Sequence, residues 1–165
     1  MRISTQPFIC AAAAFALSIS PMAAQTLTEQ DQTFMRNAAK GGMMEVHMGQ
    51  LGLERGGSPA VKALSQHLVN DHNAANKELT ALAKQKGVSL PGDDAKMAGS
   101  LPFANKSGND FDSAFANAAV EDHQKDIAEF EKEASSGNDP DLKNWASKTL
   151  PTLRAHLAEA QALRK

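Results

Sequence analysis

Apolar residues recur at three- and four-residue steps along most of the chain, and the clearest run lies between Ser58 and Gly87. There Val61, Leu64, Leu68, Ala75, Leu79 and Leu82 form one stripe at helical spacing. Ser58 is an N-cap residue, and Pro59 fits the first turn, where its missing N–H costs nothing. Gly87 stands where helices commonly turn left-handed and end. At about 100° per residue, Asp71 and His72 fall roughly 50° either side of the stripe's centre. His67 points away from it, toward solvent.

The same pattern predicts three further helices. The first covers about Glu29 to Arg55, with Thr28 as cap and the acidic Glu29 and Asp31 near its positive end. Phe34, Ala38, Gly41, Met48 and Gly52 make its stripe, with Glu45 at the centre. Its glycines at 41, 42, 49 and 52 each cost about 0.8–1 kcal/mol relative to Ala, so close approach of another helix, or room beside Glu45, is expected in return. The third expected helix runs from Phe111 to about Ala134, capped by Asn109 or Asp110. Ala116, Ala119, Val120, Ile127 and Phe130 share its face with His123. The fourth opens at Asp139-Pro140; Leu142, Trp145, Thr149, Leu153, Ala160 and Leu163 share a stripe with His156, and Pro151 is expected to kink it.

Between the second and third helices, Val88 to Asp110 carries Leu90-Pro91-Gly92, Gly99, Leu101-Pro102 and Gly108, and no period survives. A connection that long inside a compact domain needs a structural reason. Four helices with a long middle connection predict an all-α, ferritin-like four-helix bundle in which this segment crosses from one end to the other. Residue counting agrees. With a crossover, Glu45, His72, His123 and His156 spread over about 8 Å of bundle height; without it they spread over about 12 Å.

Residues 1–24 read as a secretory leader: Arg2, then the apolar run Phe8 to Ile19, then Met22-Ala23-Ala24 before Gln25. Its removal takes away one positive charge and moves the net charge from −2 to −3, leaving residues 25–165 as a single domain. The one cysteine, Cys10, lies in this leader, so the mature chain has no disulfide and no thiolate ligand. Periplasm or cell envelope is the expected location. The weakly acidic balance argues against nucleic acid as a partner. Nothing in the mature stretch reads as a transmembrane helix.

The candidate chemistry lies on the buried stripes. Glu45, His72, His123 and His156, one per helix, are the candidate ligands of a divalent transition metal such as zinc, iron, manganese or copper, with Asp71 and Asp122 as supporting carboxylates. The competing reading is a hydrogen-bonded Glu–His network that fixes helix register. Val69 and Leu153, three residues before His72 and His156, break the Glu-x-x-His pattern of di-iron ferritin sites. No haem attachment motif is present. Met43, Met44, His47 and Met48 form a second, softer group that would suit copper(I).

Helices two and three also share a weak internal likeness, LVNDHNAANKEL against AVEDHQKDIAEF. Glu45 within GGMMEVHMGQLGL, these two Asp-His pairs, and TLPTLRAHL in helix four resemble the bacterial ferritin-like family catalogued as domain of unknown function 4142. Its members are described as outer-membrane or secreted proteins. The resemblance implies a ferritin-like four-helix fold and carries no assigned activity. With no nucleophile elbow or phosphate loop, the sequence leans away from an enzyme. Two functions remain open: an exported metal-binding bundle, and a structural or protein-interaction domain of the cell envelope.

Overall fold

The computed structural model describes residues 27–94 and 96–164. The leader reading of residues 1–24, Cys10 included, lies outside the described residues. The described chain is all-helical: α1 (Glu29–Arg55), α2 (Pro59–Lys86), α3 (Lys96–Ser100), α4 (Gly108–Ser136) and α5 (Pro140–Leu163).

The helix ends follow from local chemistry. Thr28 and Asp31 form a reciprocal capping box at the start of α1. The Ser58 hydroxyl accepts the Val61 N–H at the start of α2, and Gly87 closes that helix at φ 70°. Asp139 accepts the N–H groups of Asp141 and Leu142 ahead of Pro140. One boundary differs from expectation. Helix α4 starts at Gly108 rather than Phe111, with Ser107 as an extended cap that makes no side-chain bond. Helix α5 carries Pro151 within its length.

Helices α1 and α2 pack together as one hairpin and α4 and α5 as another; α2 then lies against α5, and α1 against α4. Gly49 and Gly52 let α1 approach α2 closely. A Cβ on Gly49 would stand 2.7 Å from the Ser65 carbonyl oxygen, and one on Gly52 would run into the Ser65 hydroxyl. At one end of the molecule the N–H groups of Gly57 and Ser58 donate to the Asp112 carboxylate, each at 2.8 Å. At the other, Lys86 donates to Asp139 at 2.6 Å and to Asp141 at 2.7 Å, while the Asn138 N–H donates to Asp31 at 2.9 Å. Helices α2 and α4 therefore run in the same direction, and the connection between them travels the length of the molecule.

That connection is not structureless, which corrects the expectation of a plain loop. His47 of α1 meets Asp93 at 2.8 Å, α3 packs on α1, and the Arg55 guanidinium donates to the Ala104 carbonyl. Leu101, Phe103 and Ala104 are buried, and the Phe103 ring lies edge-on to Phe111 and Phe115 at 5.4 and 5.8 Å. Burying that apolar group anchors the segment; a fully buried Leu or Phe contributes about 1.5–3 kcal/mol.

The core falls into two apolar halves. One gathers Met48, Leu64, Leu68, Phe103, Phe111 and Phe115; the other gathers Phe34, Met35, Leu79, Phe130, Trp145 and Leu153. On every long helix the residue between its two apolar blocks is polar and buried: Glu45, His72, His123 and His156.

Candidate metal centre

These four residues form one polar layer across the interior. Glu45 is 1% exposed, His123 0%, His156 2% and His72 6%. The Glu45 carboxylate lies between two rings, with Oε2 at 2.9 Å from His72 Nε2 and Oε1 at 3.0 Å from His123 Nδ1. His123 Nε2 lies 3.2 Å from His156 Nδ1, and His156 Nε2 lies 3.0 Å from Asp71 Oδ2. One ring nitrogen from each histidine can be chosen so that all three lie within 4.8 Å of one another.

Protons do not distribute comfortably over this arrangement. The Ala119 carbonyl, 2.9 Å from His123 Nδ1, can only accept, so that nitrogen carries the hydrogen. The Asp71 carboxylate likewise claims a hydrogen on His156 Nε2. In neutral rings the two remaining nitrogens, His123 Nε2 and His156 Nδ1, are then bare, and they face each other at 3.2 Å. Both Glu45 oxygens and His72 Nε2 also lack any well-directed hydrogen bond, despite their short separation. A cation held between the two bare nitrogens would relieve the first of these conditions.

The electrostatics sharpen this. Burial lifts the Glu45 carboxyl to about 7, against the pull of His123 and with a further push from Asp122. Burial drops the His72 imidazole to about 4, opposed by Asp126 and Asp71. It also lowers His123 and His156, although Glu45 and Asp71 respectively favour their charged forms. An imidazolium is thus disfavoured in the layer, and neutral imidazoles are the form that binds metal.

The donor set fits such an ion. Tetrahedral ligands at 2.0–2.1 Å from a metal stand about 3.3–3.4 Å apart, close to the 3.2 Å between His123 Nε2 and His156 Nδ1, and the Glu45 carboxylate lies 2.9 Å from His72 Nε2. The Ala119 carbonyl and the Asp71 carboxylate occupy the far nitrogens of His123 and His156, the usual means of fixing which nitrogen a ligating histidine offers.

The structure therefore brings Glu45, His72, His123 and His156 together and sets Asp71 against His156. Asp122 makes no hydrogen bond to the layer; it is half-buried beside it, and burial raises its carboxyl. Asp126, absent from the sequence candidates, is the carboxylate that burial lifts to about 7 and that also feels the charges of Glu45 and His72. Its signal was its place one helical turn after His123, legible only once α1 is known to face that side. The methionine group is dispersed. Met48 is wholly buried, Met44 packs on the core edge, Met43 lines a cavity between α1 and α2, and His47 pairs with Asp93. Met43 with His47, and Met44 with Met48, stand four residues apart and share a face, but the one-residue step between the two pairs turns them to different neighbours. His47 is also more enclosed than its place on the polar face suggested, being 13% exposed under the connection.

The sequence profile described as Domain of unknown function (DUF4142) matches residues 16–163. The chain belongs to that family. No curated protein matches it. Among solved structures, it is similar to a DUF305 fragment from Deinococcus radiodurans, with TM-score 0.71 and 14% identity over 84% of this chain and 97% of that one. It is also similar to CopM in its Cu(I)-bound form, with TM-score 0.67 and 16% identity over 80% of this chain and 93% of the other. The silver-bound form of CopM aligns with TM-score 0.64. At such identities the likeness concerns the fold. No helix among the described residues is long and apolar enough to cross a membrane.

Proposed function

We propose that this protein is an exported metal-binding bundle of ferritin-like topology that holds one transition-metal ion between its four long helices. His72, His123 and His156 supply nitrogen, Glu45 supplies carboxylate oxygen, and Asp71 orients His156. The observation that carries this reading is the 3.2 Å approach of His123 Nε2 to His156 Nδ1 in a buried layer, since neutral rings bonded through their other nitrogens leave both facing atoms without a hydrogen. Zinc and copper(II) suit three imidazoles and a carboxylate best. Copper(I) joins the ions to test because a structure of the same fold, CopM, binds it. The leader reading supports export, and a mature N-terminus at or next to Gln25 is its mass-spectrometric signature.

Thermal unfolding of untagged protein tests the site. A ligand that binds only the folded chain raises its stability by about 2.7 kcal/mol at a hundredfold excess over Kd. Zinc or copper should raise the melting temperature and chelator should reverse it. His72→Ala and His123→Ala should abolish the rise, while His47→Ala and His67→Ala should keep it. The other reading, a purely structural or interaction domain, draws on Glu45: a carboxyl lifted to about 7 can quiet the layer by taking a proton. Its signature is strong destabilisation by His72→Ala with no response of the wild type to any metal.

A further inference from the structure

We propose that the cleft between α1 and α4 is the entry port of the buried layer, and that Asp126 in its wall is a carboxylate that captures an incoming divalent cation; this rests on the core metal site proposed above. The cleft has a volume of about 270 Å³ and reaches Glu45. Both Glu45 oxygens are buried without a directed hydrogen bond, so the cleft ends on a carboxylate whose hydrogen-bonding capacity is unfilled although two histidine rings stand beside it. Asp122, Asp126 and Glu129 line the approach from α4, against Lys40 and Lys125. The balance is acidic before Glu45 is added.

Gly41 keeps the passage open. A Cβ there would stand 3.5 Å from an Asp126 carboxylate oxygen, so any longer side chain would project into the space between Asp126 and α1. Asp126 is half-buried and lines the same cleft as Glu45, which places it between solvent and the core.

A second cleft, of about 260 Å³ between α2 and α5, reaches His72 from the opposite side. It is the weaker candidate. Its carboxylate nearest the layer, Asp71, is already bonded to His156, and its other charges, Glu78 and Lys148, oppose each other. Acidic walls around a confined path raise the local concentration of cations and speed their arrival by tenfold or more, in a salt-dependent way.

The test is stopped-flow loading of metal-free protein with cobalt(II), followed by its visible absorption. Asp126→Asn should slow loading about three- to tenfold and flatten its dependence on salt, while the final cobalt content remains one per chain. Asp126→Glu should restore most of the rate. Gly41→Leu should slow loading further, and Thr152→Leu, in the opposite cleft, should leave it unchanged. Should Gly41→Leu fail to fold, Asp126→Asn and its rescue carry the result. Wild-type loading rates in Asp126→Asn, or slowing by Thr152→Leu instead, would overturn the port while leaving the core site standing. Failure of the wild type to take up cobalt at all would overturn both.

Discussion

His123 Nε2 and His156 Nδ1 face each other at 3.2 Å, each with its opposite nitrogen bonded to an acceptor, the Ala119 carbonyl in one case and the Asp71 carboxylate in the other. Two helices that meet as a hairpin thus present two lone pairs to one point of the interior. The Glu45 carboxylate and His72 complete the layer from α1 and α2.

Asp71 is the accessible part of this arrangement, with nearly half of its side chain exposed. Asp71→Asn should therefore leave the fold intact while loosening the orientation and basicity of His156. Loss of such a supporting carboxylate typically costs 10–100-fold in metal affinity. Competition against a chromophoric chelator measures it; unchanged affinity would remove Asp71 from the site.

Glu45 contributes to the pH dependence of the metal-free protein together with Asp126 and Glu133, which burial also lifts to about 7. The folded Glu45 pKa of about 7 lies above the ordinary 4.5, so its contribution is fully present below 4.5 and is lost as the pH rises through 7. His72 runs the other way. Folding drops it from 6.5 to about 4, so its contribution is present above 6.5 and is lost as the pH falls toward 4. Between about 4.5 and 6.5 the two largely offset each other. Glu45→Gln removes one side of that balance. At pH 8 without metal the variant should be as stable as wild type or more so, by about 1–3 kcal/mol. It should then lose stability more steeply than wild type on acidification through 6.5. Urea melts across pH 4.5–8 in chelator check both signs; parallel curves for the two proteins would show that folding does not raise the Glu45 pKa.

Asp112 joins the start of α4 to the turn between α1 and α2 by accepting the N–H groups of Gly57 and Ser58. Because it is only half-buried, Asp112→Ala should cost only about 1 kcal/mol, or about 2–4 °C in melting temperature for a domain of this size. The metal-induced rise should be the same as in wild type, since the layer lies several turns away. A lost rise would mean that this end of the molecule controls the site.

Much of this was legible in the chain because the signals are local. Thr28, Ser58-Pro59, Gly87 and Asp139-Pro140 mark helix ends through bonds to residues two to four positions away, and the long stripes give each helix its inner face. Glu45, His72, His123 and His156 stood out as polar residues in the middle of those stripes. What sequence spacing could not supply was distance between helices. Helix α3 is five residues long, too short to show a period, and Leu101 and Phe103 read as isolated apolar residues among breakers. Helix α4 opens at Ser107-Gly108 without a side-chain cap, and Asn109 and Asp110, both N-cap residue types, misplaced its start. Asp126 lies off the centre of its stripe and acquires meaning only beside Gly41 of α1. Asp31, Glu133 and Asp139 are all buried at one end of the molecule, where Glu133 is lifted to about 7 by burial and by Asp31.

The most direct measurement is zinc X-ray absorption on protein loaded with one zinc per chain. Three imidazoles and one carboxylate oxygen at about 2.0–2.1 Å are expected, with the imidazole signature reduced in His123→Ala. A shell of oxygens with one imidazole or none, or a chain that retains no zinc after desalting, would contradict a metal site in the core.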